Sequence, residues 1–154
     1  MAAELPFIDN LDTTVEASAP AVYEALARHL SRSLGTAGAR VACGILGCAH
    51  RGASLTTPPV EGQEVSGFMV AEARAPHRLV LEGRHRFATY RLSFTIDALS
   101  HNRAQLSART EALFPGLTGA IYRALVIGSG GHEIVARRML AAVAGRAERM
   151  ENRR

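Results

Sequence analysis

The stretch HRLVLEGRHRFATYRLSFTID, residues 77–97, decides the predicted fold because it holds two strand patterns in succession. HRLVLEG follows a turn at Ala75-Pro76 and predicts a short strand. HRFATYRLSFTIDAL then alternates two sets of side chains, with Tyr90, Leu92, Phe94 and Ile96 on one face and Arg91, Ser93 and Thr95 on the other. A period of two residues is typical of a strand with one buried face, and the short connection favours antiparallel pairing.

The junction between these two strands leaves one orientation open. Phe87 has the opposite parity to Tyr90, so either Phe87 is exposed or a β-bulge lies near Ala88 and Thr89. That choice decides whether His85 or Arg86 points inward, and both alternatives remain open at this point.

The flanking segments extend the same pattern over residues 63–112. EVSGFMVAEAR places Phe68 and Val70 on one face of a strand. NRAQLSARTEA alternates Ala104, Leu106, Ala108 and Thr110 against polar neighbours. Short connections throughout predict an antiparallel meander with one solvated and one dry face.

A long helix is predicted after the meander, in FPGLTGAIYRALVIGSGGHEIVARRMLAAVAGRAERM. At about 100° per residue from Ile121, one face collects Leu125, Gly128, His132, Val135, Met139 and Val143. The helical phase is predicted to continue through the glycines at 128, 130 and 131. These glycines leave room either for a ligand cavity or for close packing or a kink. Because position 133 is glutamate, they do not form a dinucleotide-binding Gly-x-Gly-x-x-Gly motif.

The segment before the meander predicts one strand and one or two helices. NLDTTVEASAP alternates Leu11, Thr13, Val15 and Ala17 against polar residues, and Ser18 and Pro20 suit a helix N-cap and first turn. PAVYEALARHLSRSL then has the apolar spacing of a helix. In residues 35–62, ARVACGIL indicates a small helix or an irregular cover.

This order of elements resembles the helix-grip fold, an α+β fold in which a curved antiparallel sheet wraps a long C-terminal helix. The chain resembles the START/Bet v 1-like (SRPBCC) superfamily, in its polyketide cyclase/dehydrase-like branch. The resemblance lies in TTVEASAPAVYEALARHL, HRLVLEGRHRFATYRLSFTID and RTEALFPGLTGAIYRAL. It implies a cavity between the sheet and the long helix that often holds an apolar or aromatic small molecule, and it does not imply catalysis.

Length and composition exclude several classes of function. The 154 residues predict one helix-grip domain over 1–154. All 18 basic residues are arginine, so chemistry that needs a lysine amine or a Walker A lysine is excluded. With only 5% aromatic residues and no basic-aromatic platform, we expect no nucleic-acid partner. With no signal peptide and no long apolar segment, we expect a cytoplasmic protein without membrane insertion, and we expect no cofactor.

The two cysteines, Cys43 and Cys48, stand five residues apart, with His50 just beyond them. The set supplies three potential zinc ligands, but no second pair is visible in the sequence. We therefore predict buried thiols and no metal site.

Three functional hypotheses follow from this sequence. The first is a small-molecule binding protein whose cavity is lined by Phe68, Val70, Tyr90, Leu92, Phe94, Leu125, Gly128, His132 and Met139. The second is a cyclase- or dehydratase-type enzyme in which His132 acts with Tyr90 or an inward Arg86 on a carbonyl. The third is a regulatory domain that binds a macromolecular partner, for example through the arginine-rich end GRAERMENRR.

Overall fold

The computed structural model describes residues 4–52 and 54–154. In chain order the elements are β1 (Phe7–Val15), α1 (Ala19–Leu34), α2 (Ala37–Leu46), β2 (Glu64–Val65), β3 (Phe68–Arg74), β4 (Arg78–His85), β5 (Ala88–Ser100), β6 (Arg103–Leu113), α3 (Gly116–Arg123), a π-helical turn (Ala124–Gly128) and α4 (Gly131–Glu151). The strands form one antiparallel sheet in the order β1-β6-β5-β4-β3-β2. The predicted meander is confirmed.

The sheet has one apolar face and one polar face, as the alternation predicts. Leu81, Phe94 and Ile96 are fully buried on the inner face. On the outer face Arg91 lies 2.8 Å from a Glu82 carboxylate oxygen and 3.3 Å from one of Glu111. Only the inner face is therefore available for helices or for an apolar ligand.

Helix α1 begins where the sequence predicts. The Ser18 side chain accepts a hydrogen bond from the Ala21 amide, and Pro20 lies in the first turn, where its missing N–H costs nothing. Its predicted apolar face is buried in the core, through Ala21, Val22, Ala25, Leu26 and Leu30.

The prediction that one helical phase runs through the glycines is wrong. The chain forms α3, widens into the π-helical turn, and then breaks at Gly130, whose φ is +77°. The π turn and the left-handed residue both shift the helical phase. Consequently Leu125, Gly128 and Val135, which a continuous helix would place on the inner face, are exposed.

The sheet curves around α4, and this arrangement confirms the helix-grip α+β fold. Leu140, Val143 and Ala147 bury this helix against the core. At its C-terminal end the Glu16 amide donates to Glu148 and the Ser18 hydroxyl donates to Glu151, at 3.2 and 3.1 Å. Across the described ranges, no helix carries an apolar stretch long enough to cross a bilayer.

The junction between β4 and β5 is a two-residue turn formed by Arg86 and Phe87. His85 pairs with Ala88, and the β4–β5 register continues from there without a bulge. Of the two alternatives that the sequence leaves open, an inward Arg86 is excluded: its side chain is exposed and lies against Gly47. His85 takes the inward position, because paired residues share a face and Ala88 has the parity of Tyr90.

Candidate functional site

A cavity of about 340 Å³ lies at the end of the inner sheet face. Helix α2 covers one side of it, and α3 with the π-helical turn covers the other. Of α4, only the first turn reaches it. The lining is mainly apolar and aromatic: Leu34, Ala39, Ala42, Cys43, Leu46, Cys48, Ser66, Gly67, Phe68, His85, Ala88, Tyr90, Leu92, Thr110, Ala112, Phe114, Tyr122, Val126, Ile127 and His132.

Four of the residues predicted from the sequence to bind a ligand meet in this cavity. Phe68, Tyr90 and Leu92 line it from β3 and β5. His132 lines it from the first turn of α4. Their role in ligand binding stays a prediction, but the geometry brings them around one space.

The other predicted residues lie elsewhere. Val70 and Phe94 are buried in the core below the cavity, and Met139 packs against that core. Leu125 is 69% exposed and Gly128 is exposed, because the break in the helix turns both away from the sheet. Arg86, the alternative catalytic candidate, is outside the cavity lining.

Aromatic rings form a continuous wall on one side of the cavity. Phe68 meets Tyr90 edge to face with ring centroids 5.1 Å apart. His85 lies between Tyr90 and Tyr122, at centroid distances of 5.4 and 5.0 Å. Phe87 stacks on Tyr122 from the turn between β4 and β5. These rings give one side of the cavity an aromatic, largely apolar surface.

The hydroxyl of Tyr90 is already engaged. It donates a 2.7 Å hydrogen bond to the carbonyl of Gly67, which itself needs a positive φ of 84°. Burial raises the pKa of Tyr90 above its ordinary value, so the side chain stays protonated. Tyr90 therefore acts as a fixed wall, with its proton committed to the backbone.

The two thiols lie beside Tyr90. Cys43 and Cys48 are buried and reduced, and a Cβ placed on Gly67 would come within 3.4 and 3.8 Å of their sulfur atoms. Burial, and after it the hydrogen bond with Cys43, raise the pKa of Cys48 to about 12. His50 instead contacts Glu64, with 2.9 Å between Nδ1 and Oε1. Among residues 4–52 and 54–154, no three potential metal ligands cluster.

His132 has an acidic neighbour that the sequence did not indicate. Its Nε2 lies 3.2 Å from Oδ2 of Asp9 on β1, within ion-pair distance but without hydrogen-bond alignment. In the described part of the chain, His132 Nε2 and Asp9 Oδ1 are both buried without a hydrogen-bond partner. This pair marks the end of the cavity next to β1.

The sequence analysis left the orientation of His85 open, and it missed other residues that line the cavity, including Ser66, Tyr122 and the α2 side chains. One signal was available for His85: a two-residue turn at Arg86-Phe87 gives it the same face as Tyr90. Neither turn residue is glycine or asparagine, the usual markers of such turns, so the sequence does not locate the turn and leaves the orientation of His85 open. For α2 the spacing of apolar residues predicts that one face of the helix is apolar. It does not show which part of the protein that face packs against.

Solved structures with the same fold span almost the whole chain. The Zhui aromatase/cyclase from Streptomyces sp. R1128 is 17% identical, with a TM-score of 0.56 over 92% of this chain and 93% of that one. A START superfamily protein from Mycobacterium smegmatis is 16% identical, with a TM-score of 0.53 over 94% and 99%. Norcoclaurine synthase from Thalictrum flavum is 12% identical, with a TM-score of 0.52 over 97% of each chain.

No family model and no curated protein matches the sequence. At these identities the structural similarity establishes the START/Bet v 1-like fold and leaves the activity to be argued from the site.

Proposed function

We propose that this protein, a START/Bet v 1-like chain, binds an apolar or aromatic small molecule in the cavity between its sheet, α2, α3 and the π-helical turn. One observation carries the proposal: a space of about 340 Å³ with an almost wholly apolar and aromatic lining. A ring compound of two or three fused rings fits such a volume. The binding residues we assign are Phe68, Tyr90, Leu92 and His132 from the sequence prediction, joined by His85, Tyr122 and Val126.

Two features support binding over a purely structural role. A chain that only contacts a macromolecule has no need of an open interior, and empty apolar space lowers stability through lost packing contacts. The similar structures include an aromatase/cyclase and norcoclaurine synthase, enzymes named for chemistry on small molecules. We infer from both that the space is kept for an occupant.

The second candidate is a cyclase- or dehydratase-type enzyme, and one observation favours it. Asp9 beside His132 resembles the carboxylate–imidazole pairs that orient a histidine for proton transfer. Its predicted partners give less support, since Tyr90 donates to Gly67 and Arg86 lies outside the cavity. Under this candidate His132→Asn abolishes turnover while ligand affinity stays within about threefold.

The test of binding uses native mass spectrometry of the purified protein, followed by extraction and identification of bound molecules. We expect a stoichiometric apolar or aromatic passenger. A passenger-free mass, together with no thermal shift from a panel of naphthalenes and anthracenes, would contradict the proposal.

A matched pair of variants in the π-helical turn locates the binding. Val126 lines the cavity and is half-buried, whereas its neighbour Leu125 points to solvent. In Val126→Trp the larger side chain occupies part of the cavity and should remove the passenger. In Leu125→Trp the passenger should be retained. Retention of the passenger in both variants would place the ligand elsewhere.

A further inference from the structure

Apart from His132, which lies within ion-pair distance of Asp9 at the β1 end, the cavity lining has no charged partner to offer a ligand. None of the described residues that line it is Asp, Glu or Arg. Away from that end, an anion or a cation would lose its hydration without gaining an ion pair, which is strongly unfavourable. The lining therefore disfavours carboxylates and amines as the buried part of the ligand.

His85 provides a hydrogen-bond donor with a defined tautomer. The Phe87 amide donates to Nδ1 of His85 at 3.1 Å, so this nitrogen carries the lone pair. A neutral imidazole must then hold its proton on Nε2. Burial lowers the pKa of His85, which keeps the ring neutral at physiological pH. Within the described residues, the Nε2–H of His85 donates no hydrogen bond.

Ser66 provides a second free polar group in the same wall. It is 3% exposed, it lines the cavity, and its hydroxyl has no hydrogen-bond partner among the described residues. A buried hydroxyl without a partner costs free energy that a ligand atom can recover.

Tyr90 contacts the ring of His85 and the backbone beside Ser66. Its ring contacts that of His85 at a centroid distance of 5.4 Å, and its hydroxyl binds the carbonyl of Gly67, the residue after Ser66. The cavity lining near Tyr90 thus contains two unused hydrogen-bonding groups.

We propose that His85 and Ser66 form a polar anchor for an uncharged oxygen acceptor, so that the cavity selects neutral ring compounds carrying a carbonyl over hydrocarbons and carboxylates. This inference rests on the proposed binding function. The Nε2–H of His85 donates to the carbonyl oxygen, and the Ser66 hydroxyl supplies the second contact. The aromatic rings of Tyr90, Phe68 and Tyr122 bind the apolar body of the ligand.

The test compares three compounds that share the naphthalene ring system, namely naphthalene, methyl naphthyl ketone and naphthoate, by calorimetry on the purified full chain. We expect the ketone to bind about 10-fold more tightly than naphthalene, the equivalent of one net hydrogen bond, and naphthoate to bind more weakly than either.

Two variants assign the effect to residues. His85→Phe keeps an aromatic ring but removes the donor, so the ratio of ketone affinity to naphthalene affinity should fall below about threefold. Ser66→Ala changes only the hydroxyl and should reduce the same preference by about threefold. His101→Phe, the same change at an exposed turn position, should leave it unaltered.

The outcomes separate this inference from the proposed function. If naphthalene binds but the ketone gains nothing, or naphthoate binds best, the polar anchor is wrong and the binding function stands. If His85→Phe and Ser66→Ala both keep the full preference for ketone, the anchor lies elsewhere and the assignment fails. If none of the three compounds binds, both the anchor and the aromatic-ligand proposal are overturned.

Discussion

The burial of His85 makes the stability of the protein depend on pH. In the folded protein, burial lowers the pKa of His85, so this side chain stays neutral at pH values just below 6.5. In the unfolded chain the same side chain takes up a proton near its ordinary pKa of 6.5. In the interval below 6.5 the unfolded state therefore binds more protons, and stability falls as the pH drops. His29, whose pKa is lowered by burial and then by Arg146, acts in the same direction.

We therefore expect the free energy of unfolding in urea to be lower at about pH 5.5 than at about pH 7.5, and His85→Phe to lose less across this interval than the native sequence. The exposed His101→Phe serves as the control and should follow the native pH dependence. The same pH dependence in all three proteins would show that His85 is not held neutral by burial.

We expect opposite effects on stability from removing two buried tyrosine hydroxyls. The Tyr90 hydroxyl donates to the Gly67 carbonyl, so Tyr90→Phe leaves a buried acceptor unpaired and should cost about 1 to 2 kcal/mol of stability. The Tyr23 hydroxyl is buried without a partner in the described chain, so Tyr23→Phe should be neutral within about 0.5 kcal/mol, or stabilising. Urea unfolding of both variants measures the difference, and equal losses would contradict the role given to the Tyr90 bond.

At the scale of elements, the strands and α1 could be predicted because one buried face imposes a simple period on the sequence. Tyr90, Leu92 and Phe94 show it in β5. The π-helical turn could not be predicted in this way, since it has no period of its own and the glycines are compatible with several backbone paths. A prediction of one continuous helix therefore places Leu125 on the wrong face. It also places His132 in the middle of a helix, whereas His132 lies in the first turn of α4.

Replacing glycine by alanine should have opposite effects on stability at two positions, one at the break between α3 and α4 and one inside α2. Gly130 has φ at +77°, where a side chain is strained, so Gly130→Ala should cost about 1 to 2 kcal/mol. Gly44 lies inside α2 with nothing within 4 Å of an added Cβ, so Gly44→Ala should gain about 0.5 to 1 kcal/mol. Thermal unfolding of the two variants tests this, and a gain at Gly130 would mean that the chain runs as one helix after all.

At the scale of the whole molecule, stability is distributed unevenly around the cavity. The sheet and α1 share a large core, in which α1 alone buries eight side chains. Helix α2 buries only Cys43, and α3 buries only Gly119. The sequence shows helical periods in all three but not this difference, because burial depends on what each helix packs against. The two helical covers of the cavity thus bury fewer residues than α1, and their local opening is the route that the proposed ligand would take.

Amide hydrogen exchange makes this distribution measurable. Without ligand, α2 and residues 116–128 should exchange about 100-fold or more faster than β4, β5 and α1, since opening a weakly packed helix exposes little apolar surface. Saturating methyl naphthyl ketone adds contacts to both covers, so exchange should slow there by about 10-fold while the core strands change little. Leu125→Trp should keep this protection and Val126→Trp should lose it. Protection that appeared in the core strands alone would mean that the ligand stabilises the fold without seating against α2 and the π-helical turn, and the cavity would then not be the binding site.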